Sequence, residues 1–230
     1  MTVRVEWIEQ VEVLVLDRPH RANAYDQATL LALDEAVASV RGHVAVIASA
    51  GDRAFCGGAD LTELGAATAA DALELRSQAV FERLCRAPFV SIAAVQGPAV
   101  AGGFELALAC DLRVLGPRAT FSLPETSLGI LPSAGGTTRL TAMVGPGRAR
   151  EVILGGRVLC AADAVTWGLA ARVVDEPLAE AVAWAQRIAE SRPLALRMAK
   201  RVLDAVEDRG PGLAMERATE AVLYASRGEE

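Results

Sequence analysis

The chain has one lysine, Lys200, and only two histidines, His20 and His43, in 230 residues. Its basic charge is otherwise arginine, and 29 acidic residues against 23 basic ones leave a net charge of -6. Nucleic-acid binding needs clustered basic side chains to neutralise phosphates, so this balance argues against a nucleic-acid partner. Aromatic residues make up only 4% of the chain, so Ala, Val, Leu and Ile must build the core. Cys56, Cys85, Cys110 and Cys160 stand far apart, with no CxxC pair and no Cys/His cluster. That leaves no zinc framework and no disulfide scaffold, and buried free thiols in a reducing compartment are expected. The longest apolar region, Pro88 to Leu112, is interrupted by Gln96, Gly97, Pro98, Gly102, Gly103 and Glu105, too often for a membrane span. Met1 to Gln10 alternates polar and apolar residues and lacks the charged-then-apolar order of a secretory signal. The expectation is a soluble, cytoplasmic protein with no metal, membrane or nucleic-acid partner.

Common catalytic signatures are also missing. There is no GxxxxGK[ST], no GxGxxG after a strand, no GxSxG and no HExxH. P-loop, dinucleotide and serine-hydrolase chemistry therefore lose their usual support. What is present is a 52% hydrophobic chain, which at this length should bury roughly 70–75% of its unfolded surface.

Val3, Val5 and Trp7, then Val11, Val13 and Val15, read as two strands of a hairpin turning near Glu9-Gln10. Leu30, Leu33, Ala36, Val37 and Val40 recur at helical spacing behind Asp26, a candidate N-cap. Val44 to Ala48 is a strand, Asp71 to Arg86 a helix, Phe89 to Val95 a buried strand, Gly102 to Cys110 an apolar helix, and Leu112 to Leu115 a strand. This alternation predicts an α/β fold. Beyond Gly145 the pattern predicts helices at Arg148 to Leu154, Ala161 to Trp167, Leu178 to Ser191, Pro193 to Val206 and Leu213 to Ser226, with strand character only at Ala171 to Val174. No linker divides the chain, so 1–230 reads as one domain: an α/β core over 1–174 and a helical region over 175–230.

Glu105 is the most informative polar residue. Every other position of its helix is apolar or glycine, which marks a buried helix. Burial disfavours the ionised carboxylate and raises its pKa toward the range useful for acid/base work. Gly102-Gly103 opens the same helix, where unpaired N–H groups can meet a developing negative charge. A second glycine pair, Gly57-Gly58, lies in Phe55-Cys56-Gly57-Gly58-Ala59-Asp60 between a strand and a helix, so two such turns could serve one oxyanion. Glu125 has two readings: Ser122 and Glu125 are spaced as a capping box, yet the following Gly129 to Gly136 is an apolar, glycine-rich stretch suited to a pocket wall. Paired carboxylates in such a wall suit proton transfer on both faces of a bond. Asp60 and Asp111 read as turn caps, Cys56 as packing, and Arg139 as the partner of a helix C-terminus. Arg18, His20, Arg21 and Arg53 could meet phosphates.

Three blocks, Phe55 to Leu61, Ala93 to Asp111, and Pro124-Glu125 to Arg139-Leu140, resemble in order and spacing the signatures of the enoyl-CoA hydratase/isomerase (crotonase) superfamily. The similarity runs from about Arg18 to Val174, through Gly156-Arg157 and Trp167-Gly168-Leu169. The resemblance implies a spiral of ββα units with a helical C-terminal oligomerisation region, assembling as a homotrimer or a dimer of trimers. It implies acyl-CoA thioester substrates and no separate cofactor. By the same resemblance, the N–H groups of Ala59 and Gly102 form an oxyanion hole, Glu105 activates water at C3, and Glu125 exchanges the proton at C2. Arg18, Arg21, Ala22, Gly57, Asp60, Leu61, Gly103, Pro132 and Ser133 would line the acyl-CoA site, with Ser133 standing where hydratases commonly carry glycine. The sequence stops at Arg227 to Glu230, about where members of the family usually continue into one further C-terminal helix that helps cover the acyl-CoA site, so the expectation is a chain lacking that last helix. The implied activity is hydration of a 2-enoyl-CoA; isomerisation, decarboxylation or C–C lysis through the same enolate, or a non-catalytic subunit of this fold, are the alternatives.

Overall fold

A computed structural model describes residues 2–64 and 76–205. Strand β1 (Val3–Ile8) pairs antiparallel with β2 (Val11–Leu16). The hairpin turns on Glu9 and Gln10, both at positive φ (48° and 69°), as a primed two-residue turn demands. Val5 and Trp7 are exposed on this edge strand. Beyond β2 the sheet is parallel, running through β3 (Val44–Ser49), β4 (Val90–Val95), β6 (Leu112–Leu115) and the short β9 (Arg172–Val173).

The apolar runs read as strands are runs because both faces of this sheet are covered. Along β2, Leu14 and Leu16 enter one core with Ile47, Phe55, Phe81 and Phe104, while Val11, Val13 and Val15 enter a second with Val46, Ile92 and Val114. Helices α1 (Gln27–Ser39) and α3 (Arg76–Cys85) lie on the first side. Between them comes the one-turn α2 (Leu61–Leu64). Asp26 caps α1 as expected, its carboxylate accepting the Thr29 N–H at 2.8 Å.

Three elements had no sequence signal. Strands β5 (Ala99–Val100), β7 (Thr120–Ser122) and β8 (Leu159–Cys160) form a second, three-stranded sheet. Each is too short to show a period. Helix α4 (Gly102–Ala109) packs on this sheet through Phe104 against Phe121, ring centroids 4.8 Å apart. Helix α5 (Gly136–Ile153) starts well before the predicted Arg148, and it is broken at Gly145 (φ 79°, ψ 163°), next to Pro146. Helix α6 (Ala161–Thr166) follows β8, its N-cap being the exposed Cys160; only Cys56 and Cys110 are buried thiols.

Helix α7 (Pro177–Ala189) seals the second face of the sheet with Ala181, Val182 and Ala185. Helix α8 (Pro193–Ala205) has one buried residue, the lone lysine. Lys200 Nζ donates to the Phe89 carbonyl at 2.9 Å and to Asp111 Oδ2 at 2.8 Å. The same Asp111 oxygen accepts from the Ser91 N–H and hydroxyl. Asp111 is thus the pin of an inter-element network, beyond the turn cap expected of it. The expected helix at Leu213 to Ser226 and the start of the Asp71 helix lie outside the described residues. Among the described residues no helix is long and apolar enough to cross a membrane.

Lys200→Met should cost about 2–4 kcal/mol, because it leaves the half-buried Asp111 carboxylate without its cation. Urea unfolding would measure the loss, and proteolysis near Ser191 would show α8 detaching first.

Candidate active site

Three chain segments leave the carboxyl ends of β2, β3 and β4 and meet there, the usual location of a crevice in a parallel sheet. The Tyr25 N–H donates to the Gly58 carbonyl and the Asp60 N–H to the Tyr25 carbonyl, both at 2.8 Å. This parallel bridge, Tyr25 to Ala59, uses the groups on either side of Ala59 and turns Ala59's own N–H away. On the other side the loop is zipped to β5: Val100 N–H donates to the Cys56 carbonyl at 2.9 Å, and Phe55 N–H to the Pro98 carbonyl at 2.9 Å. Among the described residues the Ala59 and Gly102 N–H groups have no hydrogen-bond partner.

Small residues let these two turns touch. A methyl on Gly58 would stand 2.9 Å from the Val100 carbonyl oxygen and 3.3 Å from Gly102 N. One on Gly103 would overlap the Cys56 carbonyl. Ala101, the N-cap of α4, adopts φ 52° and ψ -126°, a strained conformation for a residue with a Cβ that costs about 1–3 kcal/mol. That turn presents Gly102 N–H at the positive end of the α4 dipole. At the far end, the buried Arg113 guanidinium donates to the carbonyls of Ala107 (3.0 Å) and Cys110 (2.5 Å), capping the helix.

Glu105 and Glu125 are both buried, and their surroundings differ. Glu105 Oε1 accepts the N–H groups of Ala134 (2.8 Å) and Gly136 (2.7 Å) from the glycine-rich segment. Burial pushes its carboxyl above the ordinary value; the two backbone donors and Arg139 pull it part of the way back. Glu125 opens a 3-10 turn, Glu125–Leu128, whose N-cap is Pro124 with no side-chain cap. The capping box with Ser122 does not form, because Ser122 ends β7. Burial, with the Glu105 charge adding to it, pushes Glu125 up to about 7, against one backbone hydrogen bond. Its Oε2 is buried without a partner among the described residues. Both carboxyls are thus raised by burial, but Glu105 accepts two backbone donors that favour its ionised form while Glu125 Oε2 has none among the described residues, a difference of environment of the kind that can separate an acid from a base.

Other expected residues divide. Arg18 is engaged with protein, its Nη2 lying 3.0 Å from Asp26 and 3.3 Å from Asp60, and its Nη1 donating to the Ala24 carbonyl. It braces the loop rather than offering a free cation. Asp60 also caps α2 through the Thr62 N–H at 3.1 Å. Ala22 joins the loops by accepting the Gly57 N–H at 2.9 Å. Arg21 is exposed in the 3-10 turn Pro19–Arg21, beside His20. Leu61 opens α2. Pro132 is buried and Ser133 half-buried, the Ser133 carbonyl accepting from Gln78 at 2.8 Å; Gly129 to Leu131 are exposed, so only the second half of that segment forms a wall. Arg139 does not cap a helix C-terminus: it pairs with Glu82 at 2.6 Å and donates to the Ala134 carbonyl, steadying the loop that holds Glu105.

Tyr25 went unnoticed in the sequence. It is one of two tyrosines, and its only signal is its place just before the α1 N-cap. Its phenol is buried beside Cys56 and near both glutamates, which together with burial hold its pKa far above the usual phenol range. Asn23 was also missed: its buried amide donates at 2.9 Å to the carbonyls of Ala50 and Ala54 and so fixes the loop after β3. Among the described residues no group of three or more His, Cys, Asp or Glu could hold a metal ion.

Glu125 keeps a proton in the native state up to about pH 7, which the unfolded chain loses earlier. Its contribution to stability therefore falls as pH rises through this window. Glu125→Gln should raise the melting temperature at pH 8 and change it little at pH 5, as calorimetry at the two pH values would show.

The comparisons with known proteins agree with this geometry. The enoyl-CoA hydratase/isomerase family pattern matches residues 6–228. Over 199 residues the chain is 40% identical to the Arabidopsis thaliana protein named "Probable enoyl-CoA hydratase 2, mitochondrial", covering 82% of this chain and 65% of that one, so it spans just under two thirds of that relative. The fold superposes on the crystal structure of enoyl-CoA hydratase from Bacillus anthracis with TM-score 0.94 and 32% identity, covering 99% of this chain and 92% of that one. A Thermobifida fusca YX protein solved in complex with acetoacetyl-CoA superposes with TM-score 0.88 at 31% identity, covering 98% and 95%. The chain belongs to the enoyl-CoA hydratase/isomerase family and has its crotonase fold.

Proposed function

We propose that this protein adds water across the C2–C3 double bond of a 2-enoyl-CoA thioester, giving a 3-hydroxyacyl-CoA. The observation that carries the proposal is the asymmetric carboxyl pair, Glu105 bound by two backbone donors and Glu125 with its Oε2 unpartnered, together with the unpaired amides of Ala59 and Gly102, all among the described residues. The thioester oxygen accepts from the two amides. Ionised Glu105 takes a proton from water as the water oxygen bonds to C3. The C2–C3 electron pair moves toward the carbonyl, and the resulting enolate oxygen is stabilised by the two N–H groups in a water-poor site. Protonated Glu125 then delivers its proton to C2. The glutamates exchange roles, and a proton passes back from Glu105 to Glu125 through solvent before the next turnover. The addition involves no net oxidation, so it needs no redox cofactor.

With Arg18 braced, exposed Arg21 and Arg53 are the candidates among the described residues to meet the CoA phosphates. We place the protein in the cytoplasm as a homotrimer or dimer of trimers, the assembly that the family resemblance implies.

Loss of the conjugated enoyl-thioester absorbance of crotonyl-CoA tests the activity. Glu105→Gln and Glu125→Gln should each lower kcat about 10²–10⁴-fold. A folded wild-type protein without turnover would remove the hydratase reading. Glu105→Gln that loses hydration yet keeps double-bond migration would replace it with an isomerase.

The pH profile supplies a second test. Activity needs Glu105 ionised and Glu125 protonated, so kcat/KM should fall as pH rises above about 7, where Glu125 ionises. The acid limb should lie above the ordinary glutamate value, because burial raises Glu105. Rates measured across pH 4–9 would show the bell, and a profile flat through pH 7–9 would contradict the assignment of Glu125 as acid.

A further inference from the structure

We infer that Tyr25 is a positioning residue that fixes the spacing between the Ala59 and Gly102 amides, gripping the first through its backbone and buttressing the second with its phenol. The inference rests on the hydration reading for what those amides do; the juxtaposition stands on geometry alone.

The backbone half is the bridge already described. Tyr25 accepts from Asp60 and donates to Gly58, both at 2.8 Å, so Ala59 is held from both of its neighbours. The side-chain half crosses to the start of α4. A methyl on Gly102 would overlap the Tyr25 hydroxyl and lie 2.7 Å from Cζ and 2.8 Å from Cε1. The phenol therefore fills the volume where any other residue at position 102 would carry its Cβ. Two neighbours on α3 flank the ring there: it stacks edge-on against Phe81, centroids 5.7 Å apart at 90°, and Ser77 is the polar neighbour of its hydroxyl. Tyr25 and Ser77 are both buried.

A buttress has a purpose here because Ala101 is strained. A backbone held at φ 52° and ψ -126° without glycine relaxes unless its surroundings prevent it. On one side Ala101 N–H is bonded to the Ser122 carbonyl at 2.9 Å. On another, Gly58 lies too close for a side chain. The phenol closes the Gly102 side. Burial and the neighbouring thiol and carboxylates keep it protonated throughout the working range, so it acts as a neutral strut and not as a base.

The experiment compares Tyr25→Phe with wild type in the full chain. Three readouts are needed: steady-state hydration of crotonyl-CoA, binding of CoA itself, and binding of acetoacetyl-CoA followed by the absorbance of its enolate. The expected result is a fall in kcat of about 10–100-fold, the scale associated with a sub-ångström to one-ångström misplacement. Enolate formation by bound acetoacetyl-CoA should fall by a similar factor, with KM and CoA affinity changing less than about 2-fold. Ser77→Ala retains the ring and frees only the hydroxyl; it should show a smaller change of the same pattern, and it carries the test if Tyr25→Phe does not fold. Wild-type kcat and enolate absorbance in the variants would overturn the inference. So would equal losses in kcat, CoA binding and acetoacetyl-CoA binding, which mark general loosening of the core. A wild-type protein that neither hydrates crotonyl-CoA nor forms the enolate would overturn the hydration reading and this inference together, whereas an active wild type with silent variants overturns this inference only.

Discussion

Much of this molecule's chemistry depends on how closely the turn after β3 lies against the start of α4. Backbone meets backbone there with almost no side chain between: Gly58 against the Val100 carbonyl, Gly103 against the Cys56 carbonyl, Gly102 against the Tyr25 phenol. Any Cβ at these points separates the turns, and with them the two unpaired amides. The close approach is made possible by bridges at both edges, Tyr25 to Ala59 and Cys56 to Ala99, which satisfy the neighbouring backbone groups and leave the Ala59 and Gly102 N–H groups unpaired among the described residues. Unpaired donors are tolerable at a crevice mouth and costly in a closed core.

The same constraint explains where stability is given up. Ala101 sits in a backbone conformation suited to glycine, and Glu125 carries a buried oxygen without a partner among the described residues. Each destabilises the native state, and each lies at the site. The surrounding structure offsets them with neutral or well-paired polar groups that are buried or half-buried. Asn23 and Gln96 tie the loop after β3 to its neighbours, Arg113 caps α4, and Lys200 joins α8 to Asp111. Most of these groups come from outside the turns they hold, so the scaffold keeps the site rigid while the turns themselves remain strained.

Legibility in the sequence followed length and period. The runs in β2, β3 and β4 and the Asp26-capped α1 were visible because six or more residues repeat one environment. The second sheet was not, since two- and three-residue strands have no period, and the first part of α5 begins in a glycine-rich stretch that reads as loop. Glu105 stood out as the only polar residue of an otherwise apolar helix. Tyr25 did not, because its role comes from what lies across from it: Gly102, Phe81 and Ser77, each far away along the chain. Arg18 shows the converse, a residue whose charge suggested a phosphate and whose neighbours, Asp26 and Asp60, already claim it.

The sequence by itself determined the α/β class, the family blocks, and which groups are available for chemistry: two glutamates in apolar surroundings and two glycine-rich turns. The family resemblance implied a role for each glutamate, but the residues themselves offered no physical difference between the two carboxyls. Tertiary structure supplies that difference, because the donors that hold Glu105 come from Ala134 and Gly136, 29 and 31 positions away, while nothing comparable reaches Glu125 Oε2 among the described residues. A proton's affinity is set by burial and by the dipoles within a few ångströms, and those neighbours are assigned only when the chain folds.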